Sequence, residues 1–174
     1  MEKNNISDFH EMSNSEILNA YGLTKSTFGF DSDTTANVYN YPANRFCAEF
    51  VGSPAMNFFE DVKVSRNNTV SILGREYHLT TGQQKKTRKN TGIDVGIRGV
   101  DIAIKDEGYP AIVSYTEIIE SDMIIHVTVD DGKELTVVEK LNNADEMKYL
   151  AGQQVHLIPD TDRLHLFDSD GDRI

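Results

Sequence analysis

Beyond residue 55 apolar and polar positions alternate in short runs, the pattern of strands with one buried and one wet face. The alternation predicts strands at Val62–Val64, Thr69–Leu73, Tyr77–Leu79, Asp94–Ile97, Asp101–Ile104, Ala111–Ile119, Met123–Val129, Leu135–Val138, Gln154–Ile158 and Leu164–Phe167, with a last piece near Arg173-Ile174. Turn chemistry punctuates them. Asn67-Asn68 follows the first run, Asp130-Asp131-Gly132-Lys133 predicts a hairpin with a two-residue loop, and Asp168-Ser169-Asp170-Gly171 predicts another turn. Residues 81–92 are polar throughout and predict a loop. Many short strands with close-spaced turns define a mainly β fold, a small barrel or sandwich, and the hairpin-rich halves suggest two interleaved barrel lobes.

The N-terminal third is patterned differently. Residues 34–54 predict one connecting helix: Pro42 sits near its start, Phe46 and Phe50 are four apart, as are Cys47 and Val51, and Gly52 and Pro54 stop it. Residues 1–33 are rich in Asn, Ser, Asp and Glu and form a leader with one short helical piece at Ser15–Tyr21, too short to stand alone. The expected organisation is a leader over 1–33, a connecting helix over 34–54 and a β domain over 55–174.

Charge narrows the partners. Against 17 Lys and Arg stand 28 Asp and Glu, a formal net charge of −11, which repels nucleic acid and anionic lipid at long range. Cys47 is the single cysteine, so an intramolecular disulfide is excluded and a cysteine-built zinc site lacks ligands. On its apolar helix face it reads as an inert core thiol. The first residues lead into no apolar stretch of signal-peptide length, and the apolar runs are strand-sized, such as Met123-Ile124-Ile125. The expectation is a cytoplasmic protein with no membrane insertion of its own.

Catalytic motifs do not emerge. Gly-Lys occurs at Gly132-Lys133, but Val127 and Glu134 stand where a phosphate-cradling loop needs Gly and Ser or Thr. Gly92, Gly96 and Gly99 have the wrong spacing for a dinucleotide fingerprint. Asp168, Asp170 and Asp172 alternate like the start of a calcium loop, but Gly171 is out of register and an acidic turn fits better. His126, His156 and His165 sit in strand runs without metal-ligand spacing. No cofactor, metal site or catalytic residue is expected. The one basic cluster is Lys85, Lys86, Arg88 and Lys89; with no aromatic interleaved it reads first as a solvated loop tip, and otherwise as an anion contact.

Several segments in order resemble one family. Val38–Phe46 running into Glu49–Phe59, then Val95-Gly96-Ile97-Arg98, then Glu117–Asp122 with His126-Val127, then Leu150–Gln153 and Leu164–Asp168, are similar to the junction and regulatory half of the ATPase subunits of bacterial ABC importers for sugars, of the maltose and multiple-sugar type. The resemblance covers about residues 34–174. It departs at Gly99-Val100, where the family has Pro-Glu after the Gly-Ile-Arg strand. The family's ATP-hydrolysing motifs lie upstream of the junction and have no counterpart here.

This resemblance implies an OB-like barrel region of TOBE type that is regulatory and not catalytic. It implies a homodimer, or a contact with an importer ATPase subunit, that tethers two motors, with a regulatory protein as a further partner and a peripheral place at the inner face of the membrane. Phe58, Phe59 and Phe167 are the candidate contact residues. The alternative is a stand-alone OB-type barrel that binds a sugar, an oxyanion or an oligonucleotide. Its donors would be Arg98, Lys85, Lys86, Arg88 and Lys89; with no Trp in the chain, Tyr77, Tyr109 or Tyr115 would stack on a sugar.

Overall fold

A computed structural model describes residues 35–87, 92–141 and 148–174 of the chain. The leader expected over residues 1–33 lies outside them. The described chain opens with two short helices, α1 (Thr35–Asn40) and α2 (Arg45–Phe50). Strands β1 (Asn57–Val62), β2 (Thr69–Ile72) and β3 (Arg75–His78) follow, then helix α3 (Thr81–Lys86). Next come β4 (Ile93–Ile97), β5 (Ile102–Lys105), β6 (Tyr109–Ile119), β7 (Asp122–Val129), β8 (Glu134–Lys140), β9 (Gln154–Pro159) and β10 (His165–Phe167).

The predicted connecting helix is two helices. A residue before proline is disfavoured in the helical region, so Tyr41 ends α1 and Pro42 lies in the break. Asn44 restarts the helix as its N-cap, its side chain accepting from the Cys47 N–H at 2.8 Å. The buried stripe also differs from the expected one. Cys47 and Ala48 face inward, whereas Phe46 and Phe50 are exposed and stack on each other, centroids 6.0 Å apart. Burial pushes the Cys47 thiol up to about 11, as expected of an inert core thiol.

The polar stretch after Leu79 is not all loop. Thr80 and Gln83 form a capping box: the Thr80 side chain accepts from the Gln83 N–H, and the Gln83 side chain accepts from the Thr80 N–H. The first strand is also shifted, lying at Asn57–Val62 before the alternating Val62-Lys63-Val64. The turn at Asp130–Lys133 is a three-residue loop: the Gly132 N–H donates to Val129 O, the Val129 N–H donates to Lys133 O, and Gly132 takes a φ of +80°.

The strands form three antiparallel sheets, β1-β4-β10, β2-β3 and β5-β9-β6-β7-β8, that are not closed into barrels. Alternation sorts the first sheet into two faces. Phe59, Val95 and Leu166 lie in one cross-strand row and join the main core with Ile93, Ile97, Val113, Ile125, Val127 and Leu157. The next row, Phe58, Gly96 and His165, faces the helices, as does Phe167 opposite Asp94. There Ala48, Met56 and Phe167 form a second, small core against which Phe58 packs. Gly96 makes this layer possible, because a Cβ there would sit 2.4 Å from Met56 Sδ and 3.2 Å from Phe58 Cε1.

Two polar clamps join these layers. The Asn57 side chain donates to Thr136 O at 2.9 Å and accepts from the Thr136 N–H at 2.8 Å, tying β1 to β8. Arg45 binds Glu49 at 2.7 Å, Glu60 at 2.5 Å and Asp94, tying α2 to the first sheet. Burial works against the Arg45 charge, but these three carboxylates outweigh it and hold its pKa above the ordinary value.

Candidate functional site

Two places in this framework offer chemistry or contact. One is a cleft where the helices meet the β1-β4-β10 sheet. The other is the free edge of β6.

Arg98 follows β4 on the same parity as Asp94 and Gly96, so it points towards the helices. It is 3% exposed. Its Nη1–H donates to Val51 O at 2.8 Å and its Nη2–H to Tyr39 O at 2.9 Å, and the guanidinium lies 3.7 Å from the Tyr39 ring centroid. The Arg98 plane rests against Gly52, where a Cβ would lie 2.8 Å from Nη1 and where φ is +122°. The Arg98 Nε has no partner. Among the described residues no carboxylate hydrogen-bonds the guanidinium, and burial lowers its pKa, opposed by Tyr39 and Asp101.

The last residues complete the cleft. Asn44 bridges to Asp172, the Arg173 N–H donates to Ala43 O at 3.1 Å, and the Ile174 N–H donates to Leu166 O at 3.0 Å. This pins the Arg173 side chain against the Tyr41 ring, 5.3 Å from its centroid. His165 enters from β10, 8% exposed, with Nδ1 unpartnered. Burial, then the positive charges of Arg173, Arg98 and Arg163, push its pKa down to about 4. The space between is about 320 Å³, lined by Tyr39, Tyr41, Arg98, His165, Arg163 and Arg173 and by Asp101 and Asp162.

Of the expected anion donors, Lys85 and Lys86 do not join Arg98 in the cleft. Lys85 and Lys86 are exposed on the last turn of α3; Lys86 reaches Arg173 O at 3.3 Å but lines no part of the cleft. Arg88 and Lys89 lie outside the described residues. The candidate tyrosines are dispersed: the Tyr77 hydroxyl donates to Gln83, the Tyr109 hydroxyl to Asp130, and Tyr115 stacks on His126 with centroids 4.1 Å apart. Sequence reasoning did not single out Arg163 and Arg173, which carry no local motif, and took Tyr39 and Tyr41 only as part of the junction resemblance.

Phe167 is 0% exposed and packs on Phe58, centroids 5.9 Å apart, so its ring offers no surface to a partner. Phe58 is half-buried beneath Arg45, and Phe59 is half-buried in the main core with the Lys133 ammonium over it. The exposed apolar surface is elsewhere. On β6, Ile112, Tyr115, Ile118 and Ile119 are exposed, and Leu150 is exposed too. Strand β9 pairs with β6 only as far as Ile112, and Val113 exchanges bonds with Gln153 and Gly152. Beyond that point no strand among the described residues pairs with this side of β6. The Thr116 hydroxyl donates to Tyr149 O at 3.3 Å, and past it the apolar edge of the strand is of the kind that templates pairing.

The fold is mainly β and OB-like. It is similar, at a TM-score of 0.50 and 14% identity, to the cytoplasmic molybdate-binding protein ModG solved with molybdate bound, over 63% of this chain and 94% of that one. No protein-family model matches the chain. Its sequence is 40% identical over 98 residues to the multiple sugar-binding transport ATP-binding protein MsmK of Streptococcus mutans, covering 52% of this chain and 26% of that protein. It is 32% identical over 146 residues to the sn-glycerol-3-phosphate import ATP-binding protein UgpC of Salmonella typhimurium, covering 81% and 39%. A UgpC of Agrobacterium fabrum is 30% identical over 141 residues, covering 76% and 34%.

These matches and the fold define the class: a mainly β, OB/TOBE-like domain. The chain is related to the ATP-binding proteins of sugar ABC importers, and it spans about a third of the length of the curated relatives it matches. No helix among the described residues is long and apolar enough to cross a membrane.

Proposed function

We propose that the chain works as a non-catalytic regulatory and dimerisation module in carbohydrate import, pairing with a second copy of itself or with the same part of an importer ATPase subunit. The observation that carries this reading is the apolar edge of β6, where Tyr115, Ile118 and Ile119 are exposed and, among the described residues, β9 has ended. Two such edges placed antiparallel extend both sheets and cover these side chains, using backbone bonds for affinity and the side chains for register. The contact residues thus move from Phe58, Phe59 and Phe167, which serve the monomer's own packing, to the β6 edge. A tether of this kind keeps two nucleotide-binding units at high effective concentration between cycles. It would place the chain at the inner face of the membrane only through its partner.

The test is solution mass by light scattering at micromolar protein, with Ile118→Arg as the variant. Ile118 is exposed, so the fold survives the change. A dimer that becomes a monomer in Ile118→Arg supports the reading; a monomer in the unmodified protein that also fails to capture an importer ATP-binding subunit overturns it.

A further inference from the structure

We propose that residues 171–173 are a latch that holds helices α1 and α2 to the β1-β4-β10 sheet, and that this junction opens and recloses as one unit while the sheets stay folded. Closed, the latch fixes the direction in which the chain enters the sheets. Open, α1 and α2 turn about residues 52–55, which link α2 to β1. The latch shares no residue with the β6 edge and stands independently of the dimer.

The β1-β4-β10 sheet continues past β10 through the last residues and ends on the junction. On one side Phe167 bridges to Arg173, the Asp168 N–H donates to Asp172 O at 2.9 Å, and the Ile174 N–H donates to Leu166 O at 3.0 Å. On the other side Asn44 bridges to Asp172, the Arg45 N–H donates to Gly171 O at 2.8 Å, and the Arg173 N–H donates to Ala43 O at 3.1 Å. Residues 171–173 therefore lie between β10 and the break that separates α1 from α2. Ile174 is buried in the main core and anchors the far end of this strap. Arg98 fastens the C-terminal end of each helix, at Tyr39 O and Val51 O, and Arg45 fastens the start of α2 through Glu60 and Asp94.

These attachments carry the junction, because its helices cannot stand alone. Each has six residues, below the length at which an isolated helix persists. The core beneath them is small, Ala48, Met56 and Phe167 with Phe58 packed on it, whereas the main core runs through all three sheets. A segment with few buried apolar contacts opens at lower free energy than the core it rests on. The opening is cooperative, because residues 43–45 sit between the two helices and losing their pairing with 171–173 loosens both. Cys47, on the inner face of α2 and 0% exposed, is uncovered when the junction lifts.

The experiment follows labelling of Cys47 by a thiol reagent in the full chain, with amide exchange of β7 as the measure of global unfolding, since β7 is paired on both sides. In the unmodified protein the opening constant read at Cys47 should exceed that of the β7 amides roughly tenfold or more. Two matched variants separate local from global opening. Gly171 and Gly132 take φ of +84° and +80°, where an L side chain is strained. Neither position is crowded: an added Cβ would lie 3.8 Å from Arg45 Cβ at Gly171 and meet nothing within 4 Å at Gly132. Gly171→Ala strains the latch and should speed Cys47 labelling about tenfold. Gly132→Ala strains the loop between β7 and β8, which stays folded when the junction opens, and should leave labelling unchanged. Equal opening at Cys47 and β7, equal acceleration by both variants, or no acceleration by Gly171→Ala overturns the proposal.

Discussion

His165 offers a pH-dependent test of how the cleft is built. Its ring is 8% exposed, and burial followed by Arg173, Arg98 and Arg163 lowers its pKa from 6.5 to about 4. In the unfolded chain the ring titrates near its ordinary value, so between these limits the unfolded state binds more protons than the folded one. The folded state is then fully favoured above about pH 6.5 and loses stability as pH falls towards 4. Each pH unit in this window is worth about 1.4 kcal/mol, so the full effect approaches roughly 3 kcal/mol and about 2 kcal/mol is lost by pH 5. Glu60, held low by Arg45, adds a loss on acidification and Asp101, pushed up by burial, opposes it, so the measurement compares unmodified protein with His165→Gln, which has no charge to gain. Urea unfolding in low-anion buffer near pH 7.5 and near pH 5 gives the two differences. Unmodified protein should lose about 2 kcal/mol more than the variant. Equal losses would show that the imidazolium is tolerated among three arginines, and the electrostatic account of the cleft would fail with it.

Other substitutions test the packing. Asn57→Ala removes both bonds to Thr136 and leaves a buried N–H and C=O unmatched between β1 and β8, so the urea midpoint should fall by the equivalent of about 2–3 kcal/mol. A loss below about 0.5 kcal/mol would mean that water enters and replaces the amide. Phe167→Ala empties the small core of Ala48, Met56 and Phe58 and should cost about 3–5 kcal/mol by the same assay, without the concentration dependence that an interface residue would show.

Arg98 shows how far local signals reach. The Gly-Ile-Arg resemblance marked it as a candidate, and strand alternation fixes its side of β4. That it lies over Tyr39 and under Val51, beside unpaired His165, depends on a chain break at Pro42 and on Gly52 making room, neither of which a periodicity reports. The capping box at Thr80–Gln83 was readable, since Thr-x-x-Gln is a start signal, yet the polar composition of the stretch masked it. Phe46 and Phe50 had helical spacing and still face solvent, because the sheet accepts the side of α2 that carries Cys47 and Ala48.

The sequence by itself determined most of the strands after residue 55, the places of the turns at Asp130–Lys133 and Asp168–Gly171, the mainly β class and the importer relationship, but not the bounds of the first strand or the length of the Asp130–Gly132 loop. These rest on alternation, turn residues and short ordered motifs, each held within a few neighbouring positions. Tertiary structure alone decided that Phe167 is core, that β9 stops pairing with β6 at Ile112, and that Arg98, His165, Arg163 and Arg173 share one cleft. Those outcomes depend on which strands pair and where pairing stops. Contacts between residues tens of positions apart are settled by the closing of the whole chain, and leave no local pattern to read.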